Sequence, residues 1–77
     1  MNLYTILDTV ANEYGPVFEA GNHGVAKRAF RQMLSKEVTH PDEYSLYCIG
    51  EVDKKSLKLT NKIEVVCNGD SAVPQNG

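Results

Sequence analysis

Cysteine is scarce in this 77-residue sequence, with Cys48 and Cys67 the two present. A disulfide scaffold of this length usually carries four or more. There is no C-x-x-C pair, so neither structural zinc nor a redox dithiol is indicated. The pair reads as two reduced core thiols in a reducing cytoplasm. No apolar run approaches the ~18 residues of a membrane span, and Met1-Asn2-Leu3-Tyr4 lacks the basic stretch that opens a signal peptide. A soluble protein, working where it is made and without a membrane partner, is expected. Enzyme signatures are also missing: no Gly-rich phosphate loop, no H-E-x-x-H and no G-x-S-x-G. No catalytic residue, cofactor or metal ligand is assigned, and there is no internal repeat. The chain is too short for two domains. A domain of this size hides only about 60% of its unfolded surface, which argues against a deep preformed cleft and for a homodimer.

What is present is an ordinary globular composition, 42% hydrophobic with a net charge of -2. The charge is arranged in blocks. All eight bases fall in two clusters, Lys27, Arg28, Arg31 and Lys36, then Lys54, Lys55, Lys58 and Lys62. Acids occupy the stretches around them, so an anionic partner is not forbidden. The strongest helix signal runs from Asn22 to about Ser35. Asn22 can cap the first turn. Val25, Ala26, Ala29, Phe30, Met33 and Leu34 share one side at helical spacing, and Lys27, Arg28 and Arg31 group opposite. Thr39-His40-Pro41-Asp42 ends it, because proline disfavours helix at the residue before it.

Strand signals surround the helix. Leu3–Leu7 is short, apolar and rich in β formers. Gly15-Pro16 marks a turn, after which Val17-Phe18 can begin a second strand. Tyr44–Val52 reads as a strand, with Tyr44, Leu46, Cys48 and Val52 on one parity and Tyr47 and Ile49 on the other. Asp53-Lys54-Lys55-Ser56 reads as a tight turn. Leu57 and Leu59, then Ile63, Val65 and Cys67, alternate with polar neighbours, with Asn61-Lys62 as a turn or an interruption. The expected architecture is α+β: an antiparallel sheet of three to five strands with one amphipathic helix on a face. The domain is expected over residues 1–67, followed by a disordered polar tail over 68–77.

Several residues invite a chemical role. His23, His40, Cys48 and Cys67 are potential metal ligands, but their spacing fits no familiar zinc pattern. Asp42 and Glu43 form an adjacent carboxylate pair, more simply read as turn residues. A basic stripe on a helix is often only a solvated face. Here it is accompanied by a basic hairpin and by Tyr4, Tyr14, Phe18, Tyr44 and Tyr47 on or beside strands. Proteins that bind single-stranded nucleic acid combine a basic track for phosphates with aromatic platforms for bases. On that reading Lys27, Arg28 and Arg31 contact phosphate from the helix, Lys54, Lys55 and Lys58 do so from the hairpin, and Tyr47 stacks. A dimer would double each patch, and binding would weaken steeply with salt.

Leu3-Tyr4-Thr5-Ile6-Leu7-Asp8, Ala11, Tyr14, Pro16 and Phe18, then Ala26-x-Arg28-Ala29-Phe30, then Pro41-Asp42-x-Tyr44-x-Leu46-Tyr47-x-Ile49-Gly50 and Asp53 form an ordered set. Over about residues 3–53 this set resembles the small nonstructural protein of gokushoviruses, single-stranded DNA bacteriophages of the microvirus family. That family often has two prolines before the phenylalanine, where this sequence has Gly15-Pro16-Val17-Phe18. The resemblance implies a nonstructural, DNA-binding protein of genome replication in the host bacterial cytoplasm. It also implies that Ala29 and Phe30 pack on the sheet while Arg28 faces out, and that Asp42, Tyr44 and Gly50 maintain the fold. The alternative expectation is an interaction module that engages a phage or host replication protein and touches no DNA. A small Mg²⁺-dependent nuclease is the third class, with Asp42 and Glu43 as its clustered acids.

Overall fold

The computed structural model describes residues 1–37 and 40–69, with the side chains of all but 36 and 37. Its elements are β1 (Asn2–Asp8), β2 (Glu13–Tyr14), β3 (Phe18–Ala20), α1 (His23–Glu37), a 3₁₀ turn (Pro41–Glu43), β4 (Tyr44–Asp53) and β5 (Lys58–Asn68). The result is α+β, one helix against an antiparallel five-stranded sheet. The order is β2-β1-β4-β5, and β3 also pairs with β1.

The long β1–β4 ladder runs from Asn2↔Glu51 to Asp8↔Tyr44. On the other edge of β1, β2 pairs through Leu7↔Tyr14 and β3 through Tyr4↔Phe18, so residues 13–20 form one broken edge. Gly15-Pro16-Val17 is the break, because proline has no N–H to donate to a ladder. Gly15 N–H bonds the Ile6 carbonyl at 2.8 Å, and the Thr5 hydroxyl donates to the Gly15 carbonyl at 2.8 Å. The two-residue β2 is too short to show any alternation, and the sequence reading does not contain it.

Helix α1 starts where Asn22 predicts: its Oδ1 accepts from Val25 N–H at 2.9 Å. Ala26, Phe30 and Leu34 form a narrow stripe that is fully buried against Tyr4, Ala20, Leu46 and Cys48. Each large apolar side chain buried this way contributes about 1.5–3 kcal/mol. Ala29 corrects the expectation drawn from the resemblance. Phe30 is buried and Arg28 is exposed, but Ala29 is exposed as well. It shares a flank with Val25, one helical turn earlier, and that flank lies beyond the Ala26–Phe30–Leu34 line that meets the sheet. The break predicted at Thr39 lies outside the described residues.

The β4–β5 turn also departs from expectation. Leu57, read as a strand residue, closes the turn with φ 60°. Asp53 organises it, accepting from Lys55 N–H at 2.9 Å, while Leu57 N–H bonds the Asp53 carbonyl at 2.7 Å. Asn61-Lys62 is no turn: β5 runs through it with a register shift between the Cys48↔Glu64 and Gly50↔Asn61 pairs. Asn68, expected to begin the tail, pairs with Ser45 as the last residue of β5. Residues 70–77 of that tail lie outside the described residues.

Candidate nucleic-acid interface

The alternation along β4 decides where Tyr47 goes. Leu46 and Cys48 point into the core beneath α1, so Tyr47 and Ile49 point to the opposite face of the sheet. There they meet Thr5, Tyr14, Val17, Asn61 and Ile63 around a shallow, largely apolar cleft of about 510 Å³. The Tyr14 and Tyr47 rings approach edge to face, with centroids 6.2 Å apart. Such pairs prefer this T-shape because the positive ring edge meets the negative face. Tyr14, Val17, Ile63 and Val65 are all more than half exposed, with Ile63 at 79%. Among the described residues, no element covers this face.

The six predicted cations divide between two places. Lys27, Arg28 and Arg31 are exposed on α1, on the layer opposite Tyr47. Lys54, Lys55 and Lys58 are exposed at the β4–β5 turn. Glu19 alternates with the core-facing Phe18 and Ala20, which places it on the open face, and Lys54 reaches it at 2.6 Å. Lys58 lies across the ladder from Asp53 and lines a cleft of about 260 Å³ with Glu51. One end of the open face is thus bordered by Lys54, and the helix cations do not join it within one chain. Exposed pairs of the Lys54–Glu19 kind are worth only about 0–1 kcal/mol, so the amine exchanges partners readily.

The sequence reading missed Tyr14, Ile49 and Ile63 as members of one surface. The signal was the off-parity apolar set in β4 and β5, which also fits a sheet covered on both faces. It missed a polar knot too. Asn2 Nδ2 donates to the Tyr4 hydroxyl oxygen at 3.0 Å, and that hydroxyl lies 2.7 Å from His23 Nδ1. His23 Nε2 lies 3.1 Å from Glu64 Oε1. The Glu64 carboxylate only accepts, so Nε2–H donates to it, and in the neutral ring Nδ1 then accepts the Tyr4 hydrogen. The knot ties the start of α1 to β1 and β5.

The residues with ligand chemistry do not gather. His23 sits in the knot, and buried Cys48 lies 3.8 Å from the Gly50 carbonyl. Among the described residues, no three His, Cys, Asp or Glu side chains gather. Cys67 is free and half-buried; burial pushes its thiol up, opposed by the charge of Lys27. Among the described residues, no helix is long and apolar enough to cross a membrane.

These features define a small two-layer α+β protein with an open aromatic sheet face and cations at its periphery. The chain belongs to the Phage ORF5 protein family, whose model matches residues 1–72. It is therefore a phage protein, in the direction of the resemblance read from residues 3–53. No curated protein and no solved structure matches it.

Proposed function

We propose that this phage protein, of the gokushovirus nonstructural type, binds single-stranded DNA without catalysis. It would act as a homodimer in viral genome replication, in the cytoplasm of the infected bacterium. The observation that carries this reading is the meeting of Tyr14 and Tyr47 on an uncovered apolar sheet face. An open sheet bearing aromatic rings is how several folds stack unpaired bases, and duplexes cannot present bases in this way. Bases would lie on Tyr14 and Tyr47. Lys54, Lys55 and Lys58 would take phosphates at the end of that face. Lys27, Arg28 and Arg31 would take phosphates where a strand passes to the helix layer.

The test is fluorescence anisotropy of a labelled oligothymidylate over a salt series. Stacking on one ring contributes about 1–3 kcal/mol, so Tyr47→Ala is expected to weaken binding by about 5- to 150-fold. Neutralising Lys54, Lys55 and Lys58 together should flatten the log–log salt slope by about 2, at roughly 0.7 per phosphate contact. Unchanged affinity after Lys27, Arg28 and Arg31 are neutralised removes the helix from the mechanism. Absence of binding even in dilute buffer overturns the whole reading. A second reading has its own observation: Leu57 and Leu59 are exposed at the β4–β5 hairpin, away from the cleft, as on a surface that meets protein. It predicts retention of a phage or host replication protein that survives nuclease.

A further inference from the structure

The two edges of the sheet are built differently. The edge formed by β2 and β3 consists of strands of two and three residues separated by Pro16. Short edge strands and proline are the usual protection against unwanted pairing. The other edge is β5, eleven residues long and paired on one side with β4. Leu59, Ile63 and Val65 are more than half exposed along it. Among the described residues, no strand lies against its outer side. A long apolar edge is a template for another strand.

We propose that a second copy of this chain pairs antiparallel with β5 about a two-fold axis at Ile63. Charge complementarity points to a second copy as the occupant and favours this register over the two adjacent ones. In a two-fold antiparallel pairing centred on one residue, the residues before and after the centre face each other's counterparts. Centring on Ile63 sets Lys62 opposite Glu64 of the second copy, twice, and sets Ile63 against its own counterpart. Centring one residue earlier sets Lys62 against Lys62, and one residue later sets Glu64 against Glu64. Like charges directly opposite destabilise a ladder, whereas opposite charges contribute about 0.2–1 kcal/mol per pair. Glu64 is available for this contact: its bonds to His23 and Lys62 within the chain both use Oε1, at 3.1 and 3.7 Å. The register shifts of β5 against β4, with Lys58 and Lys62, add twist and charge that discourage open-ended strand addition at this edge. A two-fold pairing tolerates that twist because it uses the edge once and closes.

The consequence deepens the functional reading, on which this part rests. The two open faces would become one sheet surface, with the Ile63 pair at its centre and Tyr14 and Tyr47 repeated on either side. A single strand would then meet two aromatic sites on one platform, a geometry that favours tight binding through linkage. The pairing itself is independent of DNA and is tested without it.

The experiment is sedimentation equilibrium of the full chain in the absence of nucleic acid. The wild type is expected at about 17 kDa, twice the 8.5 kDa of one chain. Ile63→Lys alters an exposed side chain, so the fold should persist by circular dichroism while the mass falls to that of the monomer. Lys62→Glu and Glu64→Lys should each be monomeric alone. Mixed one to one they should form a dimer, since every facing pair is then of opposite charge. A wild type that is monomeric at the highest soluble concentration overturns the proposal. So does a dimer that Ile63→Lys leaves intact, or a mixture of the two charge variants that stays monomeric. If the dimer forms as described but DNA is not retained, the interface stands and the functional reading alone fails.

Discussion

Gly50 offers a sharp test of how β4 and β5 are held. It has an ordinary backbone conformation, so its requirement is space rather than φ. A Cβ built there stands 2.5 Å from the carbonyl oxygen of Thr60, 3.5 Å from its carbon and 3.8 Å from Asn61 Cα. Ordinary contact begins at 3.4 Å, so Gly50→Ala requires the strands to part by about 0.9 Å. The obstacle is backbone in the middle of a ladder, between the Gly50↔Asn61 and Glu51↔Thr60 pairs, and cannot swing aside. A hydrogen bond stretched by that much passes outside the usual 2.7–3.2 Å range and is lost. One or two such bonds at about 0.5–1.5 kcal/mol each, with overpacking of about 1–3 kcal/mol, give a gross loss of about 1.5–6 kcal/mol. The reduced freedom of the unfolded chain returns about 0.4–1 kcal/mol of this. For a 77-residue chain the whole stability is of order 4–12 kcal/mol. Gly21→Ala is the control: a Cβ there meets nothing within 4 Å, and the change should be neutral or slightly stabilising. Urea unfolding followed by far-ultraviolet circular dichroism reads both. A Gly50→Ala protein within about 0.5 kcal/mol of wild type, the usual range of innocuous surface changes, would refute the close approach of these strands.

Leu57 holds φ 60° with its side chain exposed, a conformation that costs a residue with a Cβ about 1–2 kcal/mol. Leu57→Gly is therefore expected to raise stability by up to about 1 kcal/mol, against the usual penalty for adding glycine, and a lower urea midpoint would contradict this. Hydrogen bonds from Lys55 N–H and from the Ser56 hydroxyl and N–H hold Asp53 below the ordinary carboxylate value of 3.8. Because the folded value is the lower one, this stabilisation is full above the unfolded value and fades as pH falls through the folded one. Asp53→Asn should flatten the stability–pH curve below about pH 4, and a curve parallel to wild type there would show that the carboxylate does not organise the turn.

Much of the fold was legible because local signals and tertiary packing agree. Asn22 caps α1 as its side-chain chemistry predicts, and the Ala26–Phe30–Leu34 spacing marks the buried stripe. The parity of Leu46 and Cys48 identifies the core face of β4. What escaped is set by pairing. Phe18–Ala20 was visible only as a possible strand start, since three residues carry no usable period. Glu13–Tyr14 is a strand only because Leu7 and Asp8 lie beside it. Leu57 was misplaced because its apolar side chain fits an alternating pattern while Asp53 draws its backbone into the turn.

The candidate site was legible in part for the same reason. Charge clustering shows in a one-dimensional sequence, but the layer on which each cluster lands does not. Lys27, Arg28 and Arg31 follow the outer side of α1, and Tyr47 follows the parity opposite Leu46. A helix covers one face of a sheet, so any residue opposite the core parity ends on the other face from that helix. The cations and the ring that the sequence groups by composition are therefore separated by the sheet itself. A single groove holding all seven would need a strand that crosses an edge. Among the described residues the long edge available is β5, which pairing through Ile63 would close. Under that pairing a bound strand reaches the helix cations only by way of the β4–β5 turn or the β2–β3 side. The hairpin neutralisations would then weaken binding more than the helix neutralisations, and the reverse order would place the DNA on the helix layer instead.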